Sequence, residues 1–350
     1  MKAVILAGGE GTRLRPLTLS TPKPVAPVVD RPFLRLQLDM LARAGVDEVV
    51  LSVAYQPDKV REVFGDGNAA LRIHYAVEET PLGTGGAVKN AESRLDDVTL
   101  VLNGDILTDV DLHQVVARHR ERGAAATLVL YPVENPAAYG LVELDAEERV
   151  RRFVEKPDPD QITTDTINAG IYVLQTSTLE LMPPGQPHSI ERGFFPALLE
   201  RGDLVCAHVH RGYWIDIGTP ERYLEVHRDV LRRRFRVELD GDARAGGWVH
   251  ASARVEPGAE LEGPFYIGPE ARVAAGARVG PDTSLGPGTR LEEGARVGGS
   301  VLWRSVHVES GAWVEGALLG PGVRVGHRSR VGPGAVLGEG TVLSPFSRCG

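Results

Sequence analysis

The chain has little cysteine, no long apolar run and no surplus of positive charge, and each shortage removes a class of protein. Among its 350 residues only Cys206 and Cys349 are cysteines. Two thiols so far apart give neither a disulfide framework nor the spacing of a zinc site, and they favour a reducing, cytoplasmic setting. No stretch approaches the roughly 20 apolar residues that span a bilayer. The opening Met1-Lys2-Ala3-Val4-Ile5-Leu6-Ala7 places a cation before an apolar run, as a signal peptide does. That run ends at Gly8, too soon for a signal core, so it reads as a buried strand. A net charge of −8 argues against general affinity for nucleic acid or anionic membrane, so any cations that hold phosphate must be local. What is present in ordinary measure is 42% hydrophobic and 25% charged residues, a globular composition whose length predicts two domains.

The two halves follow different patterns. Up to about residue 230, short apolar runs at Ala3–Ala7, Val49–Ala54, Val98–Leu102, Ala125–Tyr131 and Ile171–Leu174 predict strands. Phe33–Ala44, ended by Gly45, and Leu112–Glu121 predict helices. This alternation predicts an α/β, Rossmann-like, mostly parallel sheet covered on both faces, with ligands at the carboxyl ends of its strands. Glu221–Phe235 predicts a closing helix whose Arg232-Arg233-Arg234 run is a solvated end. The catalytic domain is therefore placed at 1–235 and a linker at 236–247. From 248 to 350 the aliphatic residues Val249, Val255, Leu261, Ile267, Val273, Val279, Leu285, Leu291 and Val297 recur every six positions. The phase slips near Trp303 and resumes at Leu319, Val325, Val331, Leu337 and Leu343. A period of six fits neither helix nor simple strand. It predicts a hexapeptide-repeat coil with one short strand per repeat and an aliphatic side chain stacked inward on each of three faces.

The strongest local signal is Leu6-Ala7-Gly8-Gly9-Glu10-Gly11-Thr12-Arg13-Leu14-Arg15-Pro16, directly after the first strand. Glycines in a turn leaving a strand let backbone N–H groups approach phosphates. A Walker A loop would need Gly-Lys-Ser/Thr where Thr12-Arg13 stands, and a dinucleotide fingerprint would need a third glycine where Leu14 stands. Lys23 follows in Thr21-Pro22-Lys23-Pro24. Asp105 and Asp216, each after an apolar strand, suit Mg²⁺, which takes few protein ligands beside phosphates and water. Asp109 and Asp111 read as caps of the helix from Leu112.

Together with Pro81-Leu82-Gly83-Thr84-Gly85-Gly86, Asn103-Gly104-Asp105, Tyr139-Gly140, Val154-Glu155-Lys156-Pro157, Asn168-Ala169-Gly170-Ile171-Tyr172 and Trp214-Ile215-Asp216-Ile217-Gly218, the loop resembles the sugar nucleotidyltransferase (NDP-sugar pyrophosphorylase) family. The resemblance covers the whole chain, since many members carry a C-terminal left-handed parallel β-helix. Among subfamilies it is most similar to the mannose-1-phosphate guanylyltransferases. It implies a nucleoside triphosphate, GTP by preference, and a hexose-1-phosphate as substrates, with Mg²⁺ as cofactor. Leu6, Ala7, Gly8, Gly9, Gly11, Thr12, Arg13, Glu79, Pro81, Gly83, Thr84, Asn103 and Gly104 are then the expected nucleotide contacts. Arg13 and Lys23 would stabilise the triphosphate and departing pyrophosphate, and Asp105 and Asp216 the metal. Gly140, Glu155, Lys156 and Asn168 would hold the sugar phosphate. The sugar-phosphate nucleophile has a second pKa of about 6, so it is already ionised and needs no general base. None of the ten histidines lies in a motif block, in keeping with that.

Guanine presents N1–H and N2–H₂ on one edge, and either Glu78 or Glu79 could accept both. The Pro81–Thr84 block, which departs from the Gln-containing thymidylyltransferase pattern, and the Ser189-Ile190-Glu191-Arg192 block favour GTP. Arg192 is a further candidate anion contact. Two rival readings are acyl transfer at His250, His307 or His327 of the repeats, and a non-catalytic NDP-sugar-binding regulator. A coil with flat faces predicts a homo-oligomer.

Overall fold

The apolar run after Lys2 forms the central strand of a mixed sheet, β1 (Lys2–Leu6). In this computed structural model, residues 1–136, 139–155 and 162–350 are described, apart from the side chains of Val154 and Glu155. Two compact units emerge: Met1–Glu10 with Leu34–Trp214, and Gly11–Phe33 with Ile215–Gly350.

In the first unit, β1 is followed by α1 (Phe33–Arg43), β2 (Glu48–Val53), α2 (Pro57–Phe64), β3 (Arg72–Val77), α3 (Gly83–Ala91) and β4 (Val98–Asn103). Then come α4 (Leu112–Arg122), β5 (Ala126–Pro132), β6 (Gly140–Leu144), β7 (Val150–Glu155), β8 (Thr166–Gln175), α5 (Phe195–Arg201) and β9 (Val205–Val209). The nine-stranded sheet runs β7-β6-β8-β4-β1-β2-β3, with β5 pairing both β8 and β9. The β4-β1-β2-β3 portion is parallel, as the strand–helix alternation predicts. β8 enters antiparallel to β4, and β6 and β7 form an antiparallel pair, so the sheet as a whole is mixed. Its strands read as near-continuous apolar runs because helices cover them. Val4, Val50, Val101, Tyr172 and Phe195 share one core cluster. The chain moves from β1 outward through β2 to β3, then returns to place β4 on the other side of β1. The carboxyl ends of β1 and β4, with Leu6 beside Asn103, thus form a topological switch point.

Asp111 caps α4, accepting from the amides of His113 and Gln114 at 3.0 and 3.3 Å. Asp109, expected to share that role, instead accepts from Tyr213 N at 2.7 Å and lies 2.8 Å from His210 Nε2.

In the second unit, α6 (Pro220–Leu231) starts at Thr219, whose hydroxyl accepts from Arg222 N, and ends four residues before the predicted Phe235. Beyond it the arginines are exposed, as the sequence predicts, and each also has a partner. Arg232 makes a bidentate pair with Asp282 at 2.8 and 2.6 Å, Arg233 lies over the Trp248 ring and Arg234 pairs with Asp229. Residues 236–247 include the strand Asp242–Arg244, antiparallel to Gly247–Val249.

The repeat region coils into three sheets of seven, six and six strands, the pattern of a left-handed parallel β-helix. Val255 pairs with Val273 and Leu261 with Val279, eighteen residues on, which is three hexapeptides per coil. The aliphatic ladder lies inside. Two positions before each of its members a second, mostly small residue turns inward, as at Ala271, Ala277, Thr283, Thr289, Ala295 and Ser300, all fully or almost fully buried. The slip near Trp303 resolves into two five-residue steps, Val297 to Leu302 and Val314 to Leu319. Ser284 consequently pairs with Val301, and Val301 with Leu318, at a spacing of seventeen. The outward residues Tyr266, Val301 and Leu318 of this sheet are buried, and Trp303 lies near the ring of Tyr223 from α6.

Candidate active site

At the switch point the chain leaves β1 as Ala7-Gly8-Gly9. Ala7 N donates to Ser52 O at 2.8 Å, which fixes where the turn begins. A Cβ on Gly8 would meet Ala54 N and Glu78 Oε1 at 3.3 Å, whereas one on Gly9 would meet nothing within 4 Å. Gly9 thus leaves its backbone open for a ligand.

Glu78 and Glu79 separate cleanly. Glu78 is buried, and its two oxygens accept from Ser52 Oγ at 2.7 Å and Leu82 N at 2.8 Å. It ties β2 to the entry of α3. Glu79 is exposed.

The Gly83-Thr84-Gly85-Gly86 block is a packing device as much as a loop. Gly85 N and Gly86 N both donate to His188 O, and a Cβ on Gly86 would lie 2.7 Å from Gln186 O. Thr84 Oγ1 donates to Glu191 Oε2 at 2.8 Å and accepts from Ile190 N at 2.9 Å. Glu191 opens a π-helical turn (Ile190–Phe194) and also accepts from Ser189 Oγ at 2.9 Å. The sequence signalled Glu191 only through its place beside Arg192. Arg192 itself is exposed. Pro81 is exposed at the front of this block.

Across the switch point, the turn Asn103-Gly104-Asp105 ends β4. Gly104 N donates to Leu6 O at 2.9 Å, and a Cβ there would lie 2.6 Å from that same oxygen. Only glycine allows the two backbones to approach so closely. Asn103 Oδ1 is buried and has no hydrogen-bond partner among the described residues. Its amide nitrogen packs against Gly170, which adopts φ +73° where β8 bulges between Asn168 and Tyr172.

Three sugar-phosphate candidates fall on neighbouring strands. Gly140 on β6 pairs with Glu155 on β7, and Leu141 pairs with Ile167, next to Asn168 on β8. Asn168 Oδ1 accepts from Gly170 N at 3.0 Å, and its Nδ2 donates to Tyr172 Oη at 2.7 Å. Lys156 and the Glu155 side chain lie outside the described residues.

In the second unit, Gly11 takes a left-handed conformation at φ +63° and its carbonyl accepts from Thr18 Oγ1 at 2.8 Å. Thr12 and Arg13 are exposed in the short 3₁₀ turn that follows. A Cβ on Gly218 would lie 2.6 Å from a terminal guanidinium nitrogen of Arg13, so the signature loop and the Asp216–Gly218 block meet. Asp216 Oδ1 accepts from Gly218 N at 3.2 Å. Lys23 is buried in a turn whose successor Pro27-Val28-Val29 is held by α6. Tyr223 Oη and His227 Nε2 donate to Pro27 O, the latter at 3.1 Å, and Val29 N donates to His227 Nδ1 at 3.3 Å. Burial pushes the His227 pKa down to about 3.

Asp105 offers a hard oxygen donor in the first unit, where the unpartnered side-chain oxygen Oδ1 of Asn103 lies two residues before it in sequence, and Asp216 offers another in the second unit. Among the described residues no three His, Cys, Asp or Glu gather as a closed cage. Carboxylates of this kind suit Mg²⁺, which takes few protein ligands and keeps several waters beside substrate phosphates. No helix among the described residues is long and apolar enough to cross a membrane.

Comparison with known proteins identifies the family. The nucleotidyl transferase family profile matches residues 2–233, and that of the GMPPB C-terminal domain matches residues 261–345. The chain is 43% identical to a mannose-1-phosphate guanylyltransferase of Mycobacterium tuberculosis over 269 residues, 76% of this chain and 74% of the relative. It is 34% identical over 362 aligned positions to a probable mannose-1-phosphate guanylyltransferase 2 of Arabidopsis thaliana, covering 100% of this chain and 94% of that one. HddC of Yersinia pseudotuberculosis, solved in complex with GMP-PN, superposes with a TM-score of 0.55 at 32% identity over 65% of this chain and 97% of its own.

Proposed function

The chain belongs to the nucleotidyl transferase family, and from that premise we propose that it converts GTP and mannose-1-phosphate to GDP-mannose and pyrophosphate. The observation that carries this reading is similarity along the whole chain to proteins named for that reaction. An oxygen of the sugar phosphate attacks the α-phosphorus of GTP in line, the α–β phosphoanhydride bond breaks, and pyrophosphate leaves with its electron pair. Because the nucleophile is already an anion, the protein's task is to bring anions together and orient them. Gly9, Gly11 and the neighbouring amides cradle phosphate, and Arg13 and Lys23 offset the charge gathering on the leaving pyrophosphate. Mg²⁺ held by Asp105 and Asp216 would supply charge neutralisation at the phosphates. Glu79 is the acceptor for the guanine edge, since both Glu78 oxygens are occupied within the protein. Pro81, Gly83, Thr84, Asn103 and Gly104 shape the nucleotide side, and Gly140, Glu155, Lys156 and Asn168 the sugar-phosphate side. The proposal includes a cytoplasmic homo-oligomer with a catalytic domain at 1–235, a linker at 236–247 and a coil at 248–350.

The test is pyrophosphate release with Mg²⁺ across GTP, UTP, dTTP, ATP and CTP, each paired with mannose- and glucose-1-phosphate. Turnover mainly with GTP and mannose-1-phosphate is expected. Preference for UTP and glucose-1-phosphate would overturn the substrate assignment. That alternative has some support, since a UTP–glucose-1-phosphate uridylyltransferase of Synechocystis is 33% identical over 286 residues.

A further inference from the structure

We infer that Gln37 is a positioning residue for the metal-binding carboxylate of Asp105, an inference that rests on Asp105 being a Mg²⁺ ligand. Gln37 lies in α1, outside every motif block, and is only 1% exposed. Its Nε2 donates to Asn103 O and to Ile106 O, both at 2.8 Å. These carbonyls bracket the turn that carries Asp105. A single amide therefore fixes both ends of the turn, while Leu6 O holds its middle through Gly104 N.

The side chain does this against its own interest. Its Oε1 is buried with no hydrogen-bond partner among the described residues. A buried polar group left half satisfied is worse for packing than an apolar side chain of equal shape. Packing alone thus gives no reason for glutamine here, and the pair of carbonyls does. Arg, Lys or Ser could not replace it. The first two would bury a charge, and the third is too short to reach across the helix–turn gap.

A cation site is sensitive to such support. Partners that orient a ligand commonly change metal affinity 10- to 100-fold when removed. The experiment measures GTP affinity by calorimetry with excess Mg²⁺ and again with EDTA, without sugar phosphate, in the wild type, Asp105→Asn, Gln37→Met and Gln37→His. The ratio of the two affinities reports metal coupling, and the EDTA value reports whether the nucleotide pocket is intact. Gln37→Met is expected to lower the ratio about 10-fold with the EDTA affinity unchanged. Gln37→His, which keeps one ring N–H, should fall between it and wild type. In turnover, Gln37→Met should need more Mg²⁺ and recover at saturation, which a merely structural role would not produce. A full ratio in Asp105→Asn would remove the metal reading itself. A reduced ratio in Asp105→Asn with a wild-type ratio in both Gln37 variants would overturn the role of Gln37 alone. Loss of the EDTA affinity in both Gln37 variants would also overturn it, by making the residue a fold determinant.

Discussion

Gly104→Ala puts the closest backbone approach of the site to a direct test. The new methyl would sit 2.6 Å from Leu6 O and 3.1 Å from Leu6 C and Ala7 Cα, all main-chain atoms of the neighbouring strand end. That strand end cannot simply retreat, because Leu6 is in register with both Ser52 and Asn103 and Ala7 N is bonded to Ser52 O. Relieving the contact must lengthen or break the Gly104 N to Leu6 O bond. Leaving those buried groups unsatisfied costs about 1–3 kcal/mol, and displacing packed backbone costs roughly another 1–3 kcal/mol. Gly104→Ala should therefore lower the unfolding free energy by about 2–6 kcal/mol and move Asp105 enough to abolish turnover. Urea unfolding monitored by far-UV circular dichroism, with pyrophosphate release on the folded fraction, reads both effects. Gly9→Ala is the control, since its methyl meets nothing, and its stability should change by under about 0.5 kcal/mol. If Gly104→Ala loses less than about 1 kcal/mol and still turns over, the close approach is not what demands glycine.

Two further outcomes follow from buried groups. Glu78→Ala should destabilise by about 3 kcal/mol by stranding Ser52 Oγ and Leu82 N. Glu78→Gln should cost only about 1 kcal/mol, because the Ser52 hydroxyl can turn to accept from the new amide; equal losses in denaturant titrations would contradict this. His227 and His119 are neutral when folded, with pKa values pushed by burial to about 3 and about 4 from 6.5. The unfolded chain takes up their protons first, so their stabilising contribution is complete above pH 6.5 and is lost as pH falls toward those values. His227 alone should remove about 1.4 kcal/mol per pH unit over that window. His227→Gln should flatten the dependence of the urea midpoint on pH, and an unchanged slope would sink the assignment.

Much of the fold was legible because it is periodic. β1, β2, β4, α1 and α4 stand within a residue or two of their sequence-based bounds, and the hexapeptide ladder is visible directly as Val, Leu and Ile every six residues. The motif turns were legible because glycine and proline punctuate them. What escaped depends on partners distant in sequence. Gln37 in a helix pattern is simply a polar position, and nothing in its neighbours points to carbonyls 66 and 69 residues away. Glu191 is tied to Thr84 across 107 residues. The arginines after α6 are the exposed helix end that the sequence suggests, but nothing near them in sequence points to Asp282, fifty residues on, as the partner of Arg232. Even the different settings of Glu78 and Glu79, one buried and one exposed, depend on Ser52 Oγ, far off in sequence.

The two five-residue steps in the coil show how this architecture handles copying errors. In a hairpin, losing one residue turns every later side chain to the wrong face. Here the missing residue is confined to one corner, at Gly298–Ser300 and again at Glu315–Ala317. The next strand docks on the coil above it, so Leu302 and Leu319 resume the interior stack under Leu285. Each coil re-zeroes its own phase. Length variation at this corner is therefore heritable without loss of the fold, and the corner is a place where such a domain can gain or shed residues while the rest of the molecule stays in step.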